Sequence, residues 1–274
     1  MVNQKQDHFE ILQQKYRSES SVRAANLTDE TSRHFYADYI DFIGDCKPEA
    51  KLLDVGCGCG WSSFHFAEKG FETTGIDLNP NAFEPPPHER LTLLQGSAMS
   101  LEFDDSSFDI TCSYQVLEHV PDPEKMLLEM VRVTKPGGLI AIVGPNLLGL
   151  AGPLRGIFVY SLRNRPLRNI FFRSPGMPRH PGGNTLPESI YALGKRFYLN
   201  AQKLVSKKTS FTFRTPDLIP PFHADNDAVY LCNPIDLERF FVAHNCTVIR
   251  RSALGRGSLS RIIATGTWVM ARKS

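Results

Sequence analysis

Leu52-Leu53-Asp54-Val55-Gly56-Cys57-Gly58-Cys59-Gly60-Trp61 is the stretch that decides how this chain is read. Small apolar residues lead into an acid, and glycine then falls at every second position. An apolar run that breaks into alternating glycines before a helical pattern predicts a buried strand and a tight turn, with backbone bared toward a ligand. Turns collect glycine for steric reasons as well, so the flanking sequence has to assign this one.

Outward from the turn, Lys51 to Val55 reads as a strand, Ser62 to Lys69 as a helix closed by Gly70, and Glu72 to Ile76 as a β-branched strand ending in Asp77. Leu91 to Gln95, Phe108 to Ser113 and Leu139 to Val143 are three more short apolar strands. Between the last two, Asp122-Pro123 supplies an N-cap and a first-turn proline, and Leu127, Met130, Val131 and Thr134 share one face. Pro136-Gly137-Gly138 is expected to stop that helix. Pro234 to Ala243 predicts a helix, and Thr247 to Arg250 and Ile262 to Ala271 predict two strands, an antiparallel addition at the sheet edge. Strands alternating with helices imply an α/β fold: a doubly wound, mostly parallel, seven-stranded Rossmann-like sheet.

Three further regions complete the organisation. Residues 1–46 form an N-terminal helical arm, in which Phe9, Leu12 and Tyr16 fall at helical spacing. A stronger helix follows them: it starts at Thr28, carries Phe35, Tyr36, Tyr39, Ile40 and Ile43 on one face and stops at Gly44. Residues 47–146 and 232–274 make the core, and 147–231, too long for a loop and without strand alternation, is expected to be a helical cap insert. Leu147 to Arg173 interleaves aliphatic, aromatic and arginine residues, and Pro187 to Val205 reads as an amphipathic helix. Gly137 to Leu154 carries no charge, but its prolines and glycines argue against a membrane span.

The net charge of +2 hides an asymmetry. Residues 151–214 contain twelve Lys/Arg against the single acid Glu188, leaving nineteen basic and twenty-eight acidic residues elsewhere, so the insert is the place to look for an acidic partner. Cys46, Cys112, Cys232 and Cys246 are scattered without ligand spacing, and Cys57 and Cys59 lie in the glycine turn, so free thiols are expected and no metal site. Met1 to Tyr16 shows no leader pattern, and a cytoplasmic protein is expected.

LLDVGCGCG at 52–60, GID at 75–77, GSAMSLEFDDSSFD at 96–109, SYQVLEHV at 113–120 and KPGG at 135–138 stand in an order and spacing that resembles the class I S-adenosylmethionine-dependent methyltransferases, in particular the small-molecule, methyltransferase type 11-like branch. The resemblance covers Leu52 to Val143 and the terminal strands but not the insert. It implies S-adenosylmethionine as cofactor. Asp54, Gly56, Cys57, Gly58 and Gly60 would cradle its methionine end, Asp77 and Leu78 its ribose, Ser97 and Ala98 its adenine, and Ser113 and Gln115 would face the methyl group. At Ser97 the family usually has an acid, so a hydroxyl replaces the expected acceptor. His119 is the best candidate for a general base, and a structural hydrogen bond is its other reading. His223-Ala224-Asp225-Asn226-Asp227 could likewise supply a base or metal ligands, or be a solvated loop or helix cap.

A nicotinamide-dependent oxidoreductase would favour G-x-G-x-x-G, whereas here the third glycine comes one residue early. A nucleic-acid methyltransferase is encouraged by the basic insert, but Ser113-Tyr114-Gln115-Val116 lacks the Asn/Asp-Pro-Pro-aromatic pattern of amino-methylating relatives. A non-catalytic cofactor-binding module is the third reading. The expected acceptor is a small or lipid-linked molecule, carbohydrate or anionic in character. Peripheral contact of the basic insert with an anionic membrane surface is also expected, and specific nucleic acid is not.

Overall fold

The computed structural model describes residues 14, 16, 27–44, 49–162, 186–206, 209–216, 227–251 and 262–274. Seven strands form one sheet: β1 (Lys51–Val55), β2 (Glu72–Asp77), β3 (Leu91–Gln95), β4 (Phe108–Tyr114), β5 (Thr134–Pro145), β6 (Cys246–Arg251) and β7 (Gly266–Lys273). Their order is β3-β2-β1-β4-β5-β7-β6. β1 to β5 are parallel, and β7 runs antiparallel to both β5 and β6. β7 therefore lies inside the sheet and only β6 forms that edge. The order reverses between β1 and β4, which leaves a crevice at their carboxyl ends.

Alternation along the strands divides the core into two layers. Leu52, Ala141 and Val143 pack under α1 (Asp29–Ile43) and α2 (Trp61–Glu68), with Tyr39, Phe42 and Phe66. Leu53, Val55, Ile140 and Ile142 point the other way, against Met126 and Leu127 of α3 (Pro123–Val133) and Leu237 and Phe240 of α6 (Pro234–Ala243). Strands apolar on both faces are what a sheet covered on both sides requires. Thr28 starts α1, Gly44 stops it and Asp122 caps α3, as the sequence predicts; Thr28 forms a capping box with Thr31, and Asn233 caps α6.

Two expectations about boundaries need correction. Pro136-Gly137-Gly138 does not stop α3, which ends at Val133; β5 begins at once, and its pairing with β4 jumps from Phe108↔Thr134 to Ile110↔Leu139. The Pro-Gly-Gly run is a bulge within β5: Gly137 has φ 78°, and a Cβ on Gly138 would stand 2.8 Å from the Asp109 carbonyl. The last strand starts at Gly266, because Ile262 and Ile263 are helical.

In the insert, α4 (Ala151–Leu162) packs against α5 (Leu186–Val205). Residues 163–185, with four of the five arginines of the predicted arginine-aromatic run, and the expected helix around Phe9 and Leu12 lie outside the described residues, although Gln14 and Tyr16 are helical. Among the described residues no helix is long and apolar enough to cross a membrane.

Candidate functional site

The glycine turn leaves β1 into the crevice. Gly56, Gly58 and Gly60 have φ of 74°, 57° and 93°, backbone that side-chain-bearing residues rarely adopt. The three glycines serve different ends. A Cβ on Gly56 would come within 2.4 Å of Val116 Cγ2 and one on Gly60 within 2.8 Å of Leu93 Cδ1, so both are needed for packing, whereas a Cβ on Gly58 would meet nothing within 4 Å. Gly58 is the point at which the turn opens toward space.

Asp54 fixes the turn from behind. Its side chain is buried and accepts hydrogen bonds from Tyr39 (3.1 Å), Ser62 (2.6 Å) and Ser63 (2.9 Å). Burial raises its pKa, and these hydroxyls pull it back toward the ionised form. The Gly56 and Cys57 N–H groups both donate to the Ile76 carbonyl, and the Gly58 N–H donates to Asp77 Oδ2 at 2.9 Å, which ties the turn to the end of β2. The Cys57 side chain is buried; burial pushes its thiol well above the ordinary value and the Cys59 thiol to about 11, so neither is a thiolate nucleophile near neutrality.

Asp77 is half-buried. Oδ1 accepts from the Asn79 N–H at 3.1 Å, and both oxygens keep lone pairs for further donors. Burial raises its pKa, with the Asn79 and Gly58 N–H groups opposing. Beside it, the Leu78 carbonyl accepts from the Gln95 side chain, and the Gly96 N–H donates to the Asp77 carbonyl, which brings Ser97 and Ala98 of the neighbouring loop alongside Leu78. Ser97 Oγ accepts from the Met99 N–H at 3.3 Å, while Ala98 and Met99 are half-buried against the core. The sequence-predicted residues from β1, β2 and β3 thus form one continuous rim.

At the end of β4 the placement differs from expectation for Ser113. Its hydroxyl is buried and donates to the Val55 carbonyl at 2.8 Å, so it laces β4 to β1 rather than facing the crevice. Gln115 has φ 57°, a strained backbone held by its N–H on the Val143 carbonyl, and it turns the chain sharply out of the strand. Tyr114 packs among Phe35, Tyr36 and Tyr39 of α1, with ring centroids 4.9–6.1 Å away.

That turn delivers Glu118 and His119. Glu118 is fully buried, and its backbone carbonyl accepts from the Val229 and Tyr230 N–H groups. His119 is half-buried, with Nδ1 3.2 Å from Asp227 Oδ1 and Nε2 3.7 Å from Glu118 Oε1. Tyr16 donates to Asp227 Oδ2 at 2.6 Å, and its ring lies 5.6 Å from the imidazole. The imidazole thus stands between two carboxylates, with Asp227 on its Nδ1 side and Glu118 on its Nε2 side. Asp227 ends the predicted His223-to-Asp227 segment, whose other members lie outside the described residues. Its pairing with a residue 108 positions earlier and with Tyr16 carries no local sequence signal. Among the described residues Asp29, His65 and Glu68 stand close enough to share a cation, but Arg33 already bridges Asp29 and Glu68.

Comparison with known proteins bears on what this crevice holds. The family model described as a methyltransferase domain matches residues 53–142. An uncharacterized methyltransferase from Mycobacteroides abscessus is 31% identical over 200 residues, which cover 66% of this chain and 76% of that protein. The chain belongs to the class I S-adenosylmethionine-dependent methyltransferases. Norajmaline N-methyltransferase from Rauvolfia serpentina is 33% identical over 135 residues, 46% of this chain and 45% of that protein. The chain spans about half the length of most of the curated methyltransferases it matches. A solved structure described as a putative S-adenosylmethionine-dependent methyltransferase from Listeria monocytogenes has the same fold, with TM-score 0.54, 12% identity and coverage of 90% of this chain and 100% of its own. S-adenosylmethionine is the methyltransferase cofactor, and the crevice suits it: Gly58 opens onto free space and the Asp77 carboxylate stands beside it.

Proposed function

We propose that the chain methylates a hydroxyl or amine of a small or lipid-linked acceptor, with His119 as the general base and Asp227 as its positioning residue. The observation that carries this reading is the His119–Asp227 approach of 3.2 Å at the end of the turn that follows β4. S-adenosylmethionine, when bound, supplies an already activated methyl group, so the protein's task is alignment and exclusion of water. The glycine turn would hold the methionine end and Asp77 the ribose hydroxyls. His119 would take the proton that the acceptor hydroxyl or amine gives up. Asp227 keeps Nδ1 protonated and stabilises the charge that develops on the ring. The name of the Rauvolfia serpentina relative, an N-methyltransferase of norajmaline, supports a small-molecule acceptor.

The test is release of S-adenosylhomocysteine from a panel of phenolic and secondary-amine acceptors across pH. Wild type should show an ascending limb with pH. Asp227→Asn should lose about tenfold in turnover, and its limb should move to more acid pH, because a carboxylate that stabilises the imidazolium has gone. An unmoved limb would remove Asp227 from the reaction.

A further inference from the structure

Helix α5 is amphipathic in the opposite sense to a helix that covers a core. Arg196 donates to the Gly149 carbonyl at 2.6 Å, Asn200 to the Leu148 carbonyl at 2.9 Å, and Lys203 pairs with buried Asp236 at 2.7 Å, so the polar side of the helix faces the protein. Leu193 and Leu199 are half-buried beside them. The other side carries Ile190, Tyr191, Phe197, Tyr198, Leu204 and Val205, which are 51% to 85% exposed. At 3.6 residues per turn these six fall within an arc of about 140°. A contiguous exposed apolar stripe of this size marks an interaction surface.

We propose that the outer face of α5 seats this chain on an anionic lipid surface. Two features select lipid over protein. The exposed described cations are Lys195 at the margin of the stripe and Arg155 on the adjoining α4, in a segment, 151–214, whose sequence carries twelve Lys/Arg against one acid and of which Arg196, Lys203 and Arg214 turn inward. A basic surrounding with Tyr and Phe among the apolar side chains fits the headgroup boundary, where aromatics bridge wet and dry layers and anionic lipids attract the cations. A second copy docked on the same face would bring two such basic segments together, and their repulsion opposes that occupant. The helix lies on the bilayer rather than crossing it, in keeping with its buried lysine and asparagine. This inference does not depend on methyl transfer.

The experiment is co-sedimentation of the full chain with phosphatidylcholine vesicles that contain, or lack, about a quarter phosphatidylglycerol. The chain should partition to the anionic vesicles only, with binding that weakens as salt rises. Phe197→Asp with Leu204→Asp should lower the partition coefficient by about tenfold or more while S-adenosylmethionine affinity stays unchanged. Equal binding to both vesicle types, or unchanged partition of the double variant, would overturn the proposal. So would a wild-type dimer in analytical ultracentrifugation that the double variant converts to monomer without any vesicle binding.

Discussion

His119→Gln is expected to lower methyl-transfer turnover by about a thousandfold while leaving cofactor affinity within about threefold of the parent, since loss of a positioned base costs on the order of 10²–10⁴. The magnitude follows from the geometry, since the neighbouring groups are committed elsewhere. Ser113 is committed to the Val55 carbonyl, the Tyr39 hydroxyl donates to Asp54, and burial holds the Tyr39 phenol well above its ordinary pKa. Glu118 lies beneath the ring without solvent exposure. Acceptor turnover should be measured together with cofactor binding. A variant that turns over at near-parental rate would leave alignment alone as the chemistry, and His119 would then be structural.

Lys203→Met should destabilise the fold by about 3–5 kcal/mol, the range for breaking a buried ion pair from one side. Lys203 and Asp236 are 3% and 0% exposed, with Nζ 2.7 Å from both carboxylate oxygens. The same carboxylate accepts from the Tyr230 hydroxyl at 3.1 Å and the Asn233 amide at 2.7 Å, so removal of the lysine leaves an uncompensated charge inside a hydrogen-bonded cluster. Adding Asp236→Asn to Lys203→Met should recover part of the loss, because it removes the orphaned charge yet keeps an acceptor for Tyr230. Urea unfolding of the parent and both variants checks this. A loss below about 1 kcal/mol for the single variant would show that the insert is not anchored through this pair.

What the sequence discloses and what it conceals divide along physical lines. β1 to β5, α3, α6 and the glycine turn are legible because each rests on local pattern: apolar runs that suit a sheet covered on both faces, Asp122-Pro123 as a helix start, the helical spacing of Ile235, Leu237, Phe240 and Phe241, glycines where φ must be positive. Asp77 is legible as the end of β2, because a β-branched run into an acid marks a strand end. The bulge at Pro136-Gly137-Gly138 is not, since a proline and two glycines after a helix serve equally as a stop signal or as a strand irregularity, and only the pairing of Phe108 with Thr134 distinguishes them. The insertion of β7 between β5 and β6 is set by long-range pairing, which no local pattern encodes. The same holds for Ser113, whose buried tie to Val55 depends on the register of two strands. For α5, helical spacing identifies the helix, but the buried Asp236 that draws Lys203 inward lies 33 residues away, and it helps decide which face is covered. Asp227 and Tyr16 meet at His119 only in three dimensions.

The central claim is that the turn at Gly56–Gly60 and the Asp77 carboxylate form a cradle for S-adenosylmethionine, and calorimetric titration of the purified chain tests it most directly. S-adenosylmethionine should bind the parent and bind Asp77→Asn about tenfold more weakly, as expected for the loss of charge-assisted hydrogen bonds. Burial raises the Asp77 pKa and the ribose hydroxyls need its ionised form, so affinity in the parent should fall as pH drops through that raised value and stay flat in the variant. Tighter binding of NAD than of S-adenosylmethionine, or an Asp77→Asn variant with parental affinity at every pH, would contradict it.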